Sequence, residues 1–241
     1  MNKKSGIAAF RFWARNWVSR DVFRALRRYC AGDVLDIGGR DFFEEAVRRG
    51  ATYRTWVNVE YEPGHLQRAG ADAYYPVIAD GCRLPFGDSR FDTVLSIQVL
   101  EHVMEPLKMI EQIARVLKSG GTGIFLLPQT SVLHELPRHY GNFTRYWVKE
   151  AMARNGLEIV ELVALGGRWS SSASHFLHMF FQIGRADGLS APEFKRNVWF
   201  YLLCPFMILY ALVSIPVCLL LSLGDLTEEP NNHLVVVRKP S

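Results

Sequence analysis

Three carboxylates stand at or just after the ends of short apolar runs in the first third of the chain. They are Asp36, Glu60 and Asp80. Short β-branched runs of this kind are typical of buried parallel strands, whose carboxyl ends form one edge of a sheet where ligands bind. A carboxylate that ends the second strand can accept hydrogen bonds from both hydroxyls of a ribose. The pattern therefore predicts a ligand site at this edge, with acidic side chains beside the ligand.

Three histidines are candidates for a general base. His102 follows Glu101 at the start of a helix, and His134 and His139 lie in a long loop further along the chain. An imidazole with a pKa near neutrality could take a proton from an acceptor hydroxyl. In the alternative, each ring only holds its loop in place, and Glu101 simply favours a helix N-terminus. The sequence leaves open which of these groups, if any, is a base.

The four cysteines show neither a CxxC motif nor the spacing of metal ligands, so we predict reduced thiols and no metal site. Cys82 is interpreted as a small wall residue rather than a nucleophile, because no base is tied to it by sequence. The basic residues at the N-terminus lack a following apolar core, so we expect no secretory signal peptide and a cytoplasmic location.

A strand, a helix and a second strand follow one another between residues 91 and 127. The run 91–97 is β-branched, 104–117 has apolar residues at helical spacing, 118–121 supplies a basic last turn and a glycine stop, and 122–127 is apolar again. Strands alternating with helices elsewhere predict an α/β fold with a doubly wound, mostly parallel seven-stranded sheet. Further strands are predicted at 33–37, 55–60, 75–79, 157–165 and 233–238, and further helices at 18–30, 41–49, 63–69 and 145–155, with Asp41 and Thr144 as N-caps.

These pieces together resemble the class I S-adenosylmethionine (SAM)-dependent methyltransferases, and within them the small-molecule branch called type 11. The resemblance covers roughly residues 30 to 165, and it implies a Rossmann-like fold, SAM as cofactor and transfer of a methyl group. The motifs that carry it, in the order and spacing of the family, are Asp80-Gly81, Leu84-Pro85-Phe86, Phe91-Asp92, Glu101-His102 and Leu117-Lys118-Ser119-Gly120-Gly121.

The resemblance also implies which residues bind SAM. Asp36 would face the methionine amine directly or through water, and Gly38 and Gly39 would let the backbone approach the ligand closely. Glu60 would accept from the ribose hydroxyls, and Asp80 from the adenine amino group. The predicted cofactor-binding residues are Asp36, Gly38, Gly39, Glu60, Asp80, Gly81, Cys82 and Gln98, the last at the end of the fourth strand.

The first glycine-rich turn departs from the family pattern at two positions. The usual motif would have glycine at residues 40 and 42, where this chain has Arg40 and Phe42. The departure bears on the shape of the turn and on the affinity for SAM. It motivates an alternative hypothesis, in which the protein is a methyltransferase-like scaffold that has lost catalysis, although Glu60 and Asp80 argue against it.

An uncharged apolar segment, 198–223, interrupts the domain before the last strand. A straight helix of this length would reach about 39 Å, enough to cross a bilayer. A single crossing would separate the last strand from its sheet, so we expect a helix or bent hairpin, broken near Pro205 and Pro216, that dips into one leaflet. A true span with an unpaired tail, a buried lid and a dimer interface are the alternatives.

The N-terminal segment 1–32 holds eight Lys and Arg residues against one acid, Asp21, interleaved with aromatic residues. This composition suits an anionic membrane surface or a phosphate-bearing partner. In the other interpretation the segment is a helix that covers the sheet with its apolar face and exposes its arginines, and the two can both hold.

The predicted organisation is a basic helical segment (1–32), a methyltransferase core (33–166), an apolar helical insertion (167–232) and a final core strand (233–241). The leading hypothesis is methyl transfer from SAM to a small-molecule, lipid-linked or glycan-related acceptor at the cytoplasmic membrane face. A homodimer is compatible with the apolar insertion. An RNA methyltransferase is a third hypothesis, which the apolar insertion and the lack of a recognisable RNA-binding module disfavour.

Overall fold

The computed structural model of the protein describes residues 20–66, 71–183 and 196–241, without the side chains of 181–183. Within these ranges seven strands form one sheet in the order β3-β2-β1-β4-β5-β7-β6. Strands β1 to β5 are parallel, and β7 is antiparallel between β5 and β6, which confirms the predicted doubly wound sheet. The strands are β1 (Asp33–Ile37), β2 (Thr55–Glu60), β3 (Tyr74–Ile78), β4 (Phe91–Ile97), β5 (Leu117–Pro128), β6 (Glu158–Leu165) and β7 (Asn232–Arg238).

Helices cover both faces of this sheet. In the described ranges they are α1 (Arg20–Tyr29), α2 (Phe42–Arg48), α3 (Pro106–Val116), α4 (Arg145–Arg154), α5 (Arg168–Ile183) and α6 (Val198–Leu221), with 3₁₀ turns at Pro63–His65, Leu100–His102 and Ser222–Gly224.

Two hydrophobic clusters lie on the two faces of the sheet. One joins the sheet to α3 and α4, and includes Met109, Ile113 and Met152. The other joins the sheet to α1 and α2, and includes Leu26 and Phe43. Strand residues contribute alternately to one cluster or the other, as the two-residue period of a strand requires. The central strands are therefore buried between two layers, whereas the edge strands β3 and β6 keep exposed side chains such as Tyr75 and Val160.

The end of the helix before β5 differs from the prediction. Residues 118–121 were predicted to close that helix, but α3 ends at Val116 and the chain passes directly into the extended conformation of β5. Leu117 is fully buried and pairs with Phe91 on β4, so tertiary packing draws it into the sheet. Gly120 has φ +75°, a backbone conformation that favours glycine, and it lies within the irregular first part of the strand.

Two predicted N-caps behave differently. The Thr144 side chain accepts a hydrogen bond from the Trp147 N–H and so caps α4, as predicted. Asp41 occupies the residue before α2 but its side chain makes no capping hydrogen bond. The prediction of an Asp41 cap was therefore wrong, because its backbone (φ −88°, ψ 10°) lacks the extended conformation typical of an N-cap.

The described part of the basic segment covers the sheet. In α1 the apolar residues Val22, Phe23 and Leu26 are buried, and Arg24 and Arg27 are exposed. This agrees with the interpretation of a covering helix for 20–29. Residues 1–19, which carry the first of the predicted membrane-binding basic groups, lie outside the described residues.

The apolar insertion is an antiparallel pair of helices. α6 is one continuous helix despite Pro205 and Pro216, so the prediction of a break at these prolines was wrong. The hairpin is instead formed by α5 and α6, which pack along each other, with an edge-to-face contact between Phe176 and Tyr210. A helix can absorb an internal proline at the loss of one backbone hydrogen bond, and here the bend is not needed because α5 supplies the other arm.

The base of this hairpin is held by Asp225. Its carboxylate accepts from the backbone N–H of Trp169 at 2.8 Å and from the Ser170 hydroxyl at 2.5 Å. Beside it, Arg168 makes two 3.0 Å hydrogen bonds to Glu229. The chain therefore leaves the sheet after β6 and returns to it at β7 from the same place, so both strands pair although the apolar helices project away.

Candidate active site

The candidate site lies at the carboxyl ends of β1, β2 and β4, where the strand order reverses between β1 and β4. Crevices at such a switch point are where open α/β sheets bind ligands. Strand β1 ends in a tight turn, because Gly38 has φ +69° and its N–H donates to Val59 O on β2 at 2.7 Å. This turn brings the backbone after β1 against the end of β2.

Asp36 is the most unusual group in the site. It is fully buried, and neither carboxylate oxygen has a hydrogen-bond partner among the described residues. Burial, and then the nearby Glu60 carboxylate, raise the pKa of Asp36 to about 8, although the nearby Trp56 indole N–H opposes this shift without reaching hydrogen-bond geometry. A Cβ added at Gly39 would overlap the Asp36 carboxylate, so this position requires glycine. A buried carboxylate without a partner is costly unless it serves a ligand, and here it can receive a cationic or hydrogen-donating group.

Glu60 lies beside this turn at the end of β2. It is buried, and its Oε1 accepts from the Arg40 N–H at 2.6 Å. Burial is the main cause that raises its pKa. The Glu60 carboxylate is thus held in place by the backbone of the turn.

The departures from the family pattern have structural explanations. Arg40 has φ +46°, the left-handed conformation for which glycine is the usual residue. Its guanidinium makes two hydrogen bonds to Glu135, at 2.8 and 2.6 Å, and so ties the turn to the loop after β5. Phe42 stacks on Phe23 of α1, with ring centroids 6.0 Å apart. Neither residue displaces Asp36 or Glu60 from the strand ends.

The segment after β3 forms a second small turn. The Asp80 Oδ1 accepts from the Cys82 N–H at 2.8 Å. A Cβ at Gly81 would lie 3.1 Å from Met109 Sδ and 3.4 Å from Ile37 Cγ2, which places Gly81 closely against α3 and the end of β1. Burial raises the pKa of the Cys82 thiol to about 11, so the thiol is neutral and unsuited to nucleophilic attack.

Gln98 is oriented toward the opposite side of the site. It has φ +58°, and its side-chain N–H donates to Asn232 Oδ1 at 2.7 Å at the start of β7. Its predicted role as a cofactor ligand stays a prediction. The contact places the Gln98 side chain with the strand ends β5 and β7, on the side of the sheet away from Glu60 and β3.

The three histidines predicted as alternative bases form a single cluster. The ring centroids of His102 and His134 are 4.9 Å apart, those of His134 and His139 are 4.5 Å apart, and those of His102 and His139 are 5.8 Å apart. Burial is the main cause that lowers the pKa of His102 and of His139 below the ordinary value. These two rings are therefore neutral near pH 7, as a general base must be.

The fold also buries two polar groups at this edge: Ser96, at the strand end that the sequence predicted to line the pocket, and Glu101, which the sequence suggested only as a residue at a helix N-terminus. Glu101 is fully buried, both of its carboxylate oxygens lack a partner among the described residues, and burial raises its pKa to about 8. The Ser96 hydroxyl is also buried and unpartnered. A signal existed for Ser96, a polar residue inside an apolar strand. None existed for Glu101, because its burial depends on the loop that folds over it.

That loop, 129–144, is held over the strand ends by several contacts. Besides the Arg40–Glu135 pair, Arg138 forms an ion pair with Glu62 after β2, and the Tyr140 N–H donates to Glu101 O at 2.7 Å. The loop therefore covers the site from the β5 side and delivers His134 and His139 to it.

The sheet order and the acidic strand ends define the class as a Rossmann-like, class I methyltransferase fold. In Haemonchus contortus, phosphoethanolamine N-methyltransferase 2 in complex with SAM has this fold, with a TM-score of 0.57, 15% identity, and coverage of 95% of this chain and 56% of that chain. The [4+2]-cyclase SpnF matches with a TM-score of 0.57, 17% identity, and coverage of 91% and 79%. At these identities the likeness shows the fold alone.

Sequence comparison adds the family. Residues 35–125 match the family model described as "Methyltransferase domain". An uncharacterized methyltransferase of Mycobacterium avium (strain 104) is 34% identical over 117 residues, which cover 47% of this chain and 45% of that protein. The match thus spans about half the length of the relative. Residues 35–125 of this chain are therefore similar to the methyltransferase domain of the type 11 family of class I SAM-dependent methyltransferases.

SAM, the cofactor of this family, is compatible with the residues present. The unpartnered Asp36 carboxylate suits the ammonium of its methionine end, and the glycines beside it leave room for that end. Glu60 and Asp80 stand at neighbouring strand ends as acceptors for the ribose and adenine groups. The site residues hence fit the cofactor, while their individual roles stay predictions.

Proposed function

We propose that the protein transfers a methyl group from SAM to a small-molecule, lipid-linked or glycan-related acceptor at the cytoplasmic face of a membrane. The observation that carries the methyl-transfer part is the buried, unpartnered Asp36 carboxylate beside Glu60, at the switch point of a type 11 methyltransferase domain. An inactive scaffold would have no need to retain so costly a group.

The residues of the chain would bind and align the reactants. SAM, when bound, supplies an electrophilic methyl group on its sulfonium. Asp36 and the turn after β1 hold the methionine end, Glu60 holds the ribose, and Asp80 holds the adenine. The loop 129–144 covers the strand ends and excludes water, which favours the aligned geometry that direct transfer needs.

The histidine cluster lies where an acceptor would be deprotonated. His102 has a lowered pKa and is neutral near pH 7, so its imidazole could take a proton from an acceptor hydroxyl or ammonium, and the neutral ring of His139 lies beside it. The ring contacts among the three histidines place all of them within one small region beside β4 and β5. The cluster therefore marks the acceptor side of the site in this proposal.

The membrane part of the proposal rests on α6. The segment Val198–Gly224 is apolar enough to cross a membrane by length and composition, with a mean hydropathy of 2.5, and only 11% of its most apolar window is buried inside the protein. On the side of α6 away from α5, apolar side chains are exposed, including Trp199, Phe206, Leu209 and Val213. A soluble monomer does not expose such a surface without a partner. Because the hairpin leaves and rejoins the sheet at one place, insertion of its apolar part leaves the sheet intact.

Calorimetric titration tests the methyl-transfer part. SAM and its demethylated product, S-adenosylhomocysteine, would be titrated into the full chain purified in detergent, beside Glu60→Ala and Asp80→Ala. Micromolar binding by the parent, weakened roughly tenfold or more in both variants, is expected from the loss of a charge-assisted hydrogen bond. Asp72→Ala is the matched control, since Asp72 is an exposed acid that precedes β3 at the opposite end of the strand. A folded parent that binds neither compound would support the scaffold hypothesis instead.

Sedimentation with vesicles tests the membrane part. The detergent-free protein should sediment with vesicles of anionic phospholipid. A stable dimer that stays in the supernatant would show that α6 is a subunit interface and would overturn the membrane proposal.

A further inference from the structure

The groups around Glu101 have the composition and arrangement of metal ligands. Glu101 and His102 lie in the 3₁₀ turn after β4, and His134 lies in the loop after the adjacent β5. One ligand atom from each of the three lies within 4.8 Å of the other two, and His102 Nε2 is 4.0 Å from Glu101 Oε1. Sequence reasoning predicted no metal, because these residues belong to segments that only the fold brings together.

The hydrogen bonds of the two imidazoles leave one ring nitrogen of each free to bind an ion. His102 Nδ1 lies 2.6 Å from Arg138 O, and His134 Nδ1 lies 2.9 Å from Val132 O. A carbonyl oxygen only accepts, so each Nδ1 carries the proton and each Nε2 carries the lone pair. Metal-binding histidines are typically oriented in this way, with the second ring nitrogen donating to a backbone carbonyl.

Glu101 supplies a second and independent observation. Its side chain is fully buried, and both oxygens lack a partner among the residues that the structure describes. A buried carboxylate of this kind is expected to be paired or to coordinate a cation.

We propose that Glu101, His102 and His134 bind a divalent first-row transition-metal cation through one carboxylate oxygen and two imidazole nitrogens. This donor set suits Zn²⁺, Fe²⁺ or Co²⁺ better than Mg²⁺ or Ca²⁺, which prefer oxygen ligands. Three protein ligands leave at least one coordination position open, as in catalytic rather than structural zinc sites.

Binding requires a small contraction of the cluster. With metal–nitrogen distances of about 2.0 Å, the ligand atoms of a tetrahedral site lie roughly 3.3 Å apart. The ligand atoms would therefore approach one another by on the order of 1 Å. His134 is on a loop rather than on a helix or strand, so this movement needs no change in the sheet.

His139 would support the site without binding the ion. Its Nδ1 accepts from the His134 N–H at 3.2 Å, so its proton is on Nε2, which is buried and without a hydrogen-bond partner among the described residues. This N–H could donate to a water or an acceptor oxygen in the open coordination position. The role of the ion in holding an acceptor rests on the proposed function and would replace the general-base role of His102, because the ion would occupy the Nε2 lone pair. The binding of the ion does not rest on the proposed function.

Metal titration of the full chain in detergent tests the inference. Metal-free protein would be titrated with Zn²⁺ by calorimetry and with Co²⁺ by visible absorption, which reports the coordination geometry. The parent is expected to bind one ion per chain at this site. Glu101→Gln and His134→Ala should each weaken binding by about 100-fold or more.

Controls keep this test separate from folding and from the cofactor site. His175→Ala removes an exposed histidine on α5 and should leave the affinity unchanged. Thermal unfolding of metal-free protein would show that each variant is folded, and Zn²⁺ should raise the melting temperature of the parent and of His175→Ala only. A parent that binds SAM but shows no saturable site, or variants that bind Zn²⁺ as the parent does, would overturn the metal site and leave the proposed function intact. Metal binding without SAM binding would overturn the proposed function alone.

Discussion

Replacing Asp36 by asparagine should make the protein more stable and at the same time remove SAM binding. The side chain is fully buried without a hydrogen-bond partner among the described residues, and its pKa is raised from 3.8 to about 8. Asparagine has nearly the same shape and carries no ionisable group. The substitution therefore removes an electrostatic cost and leaves the packing of the turn in place.

The magnitude follows from the linkage between pKa and stability. Because the pKa of the folded state lies above that of the unfolded state, the folded protein holds a proton that the unfolded chain has lost between about pH 4 and pH 8. Over that interval the free energy of unfolding falls by about 1.4 kcal/mol per pH unit on account of this group alone. At pH 7 the accumulated cost is about 4 kcal/mol, an upper limit because a buried site relaxes around a charge.

Urea unfolding, followed by tryptophan fluorescence at about pH 5 and at about pH 8, measures this effect. Asp36→Asn should be more stable than the parent at the higher pH. The slope of its free energy of unfolding against pH should be smaller than that of the parent by the equivalent of about one bound proton. Glu101→Gln is the matched comparison, since Glu101 also has a pKa raised to about 8 and should contribute a similar and independent slope. Calorimetry should show that Asp36→Asn has lost SAM affinity while Glu101→Gln has kept it.

Equal stability of Asp36→Asn and the parent at the higher pH, with the same slope, would refute this reasoning. It would mean that the Asp36 carboxylate has a partner, such as water, which stabilises its charge. A stabilised variant that still binds SAM would show instead that Asp36 does not face the cofactor. Increased stability with lost binding is the trade-off expected of a functional residue.

Three further predictions concern the turn, the loop and the apolar helix. Gly39→Ala should destabilise the protein and abolish SAM binding in calorimetry, because the new Cβ overlaps Asp36; unaltered binding would contradict the geometry of the turn. A double-mutant cycle with Arg40→Ala and Glu135→Ala, measured by urea unfolding, should give a coupling energy between the two side chains below about 1 kcal/mol, since the pair is substantially exposed. A larger coupling energy would show that the loop 129–144 is integral to the fold. Leu209→Asp with Val213→Asp should reduce sedimentation with anionic vesicles without lowering the melting temperature, because both side chains are exposed; equal sedimentation of variant and parent would exclude this face of α6 from lipid contact.

The positions of the strands, and their alternation with helices along the chain, could be predicted from the sequence because the signals for both are local. The β-branched runs of β1, β2 and β4 have the bounds that were predicted, since a strand buried on both faces is mostly apolar between its polar ends. The residues 118–121 were misjudged because glycine and lysine signal a helix end in isolation. The pairing of Leu117 with Phe91, which overrides that signal, is a contact between distant parts of the chain.

The acidic strand ends Asp36, Glu60 and Asp80 were recognised by their positions, since their relation to the sheet depends only on where each strand stops. Their environments were not predictable in this way. The missing partners of Asp36 and the hydrogen bond from Arg40 to Glu60 depend on how the turn folds back on β2. Desolvation, which raises both pKa values, is a property of the assembled fold.

The sequence by itself determined the class of fold, the likeness of residues 35–125 to a methyltransferase domain and the presence of an apolar segment, because each follows from residue types at short spacing. Only the tertiary structure decided that α5 and α6 form one hairpin, with Asp225 at its base, so that β7 can rejoin the sheet. Only the tertiary structure also decided that His102, His134 and the buried Glu101 lie together. Parallel strands bring these residues together, because the ends of the strands are neighbours in space although they are far apart along the chain. No local sequence pattern indicates which distant residues will be close in the folded protein.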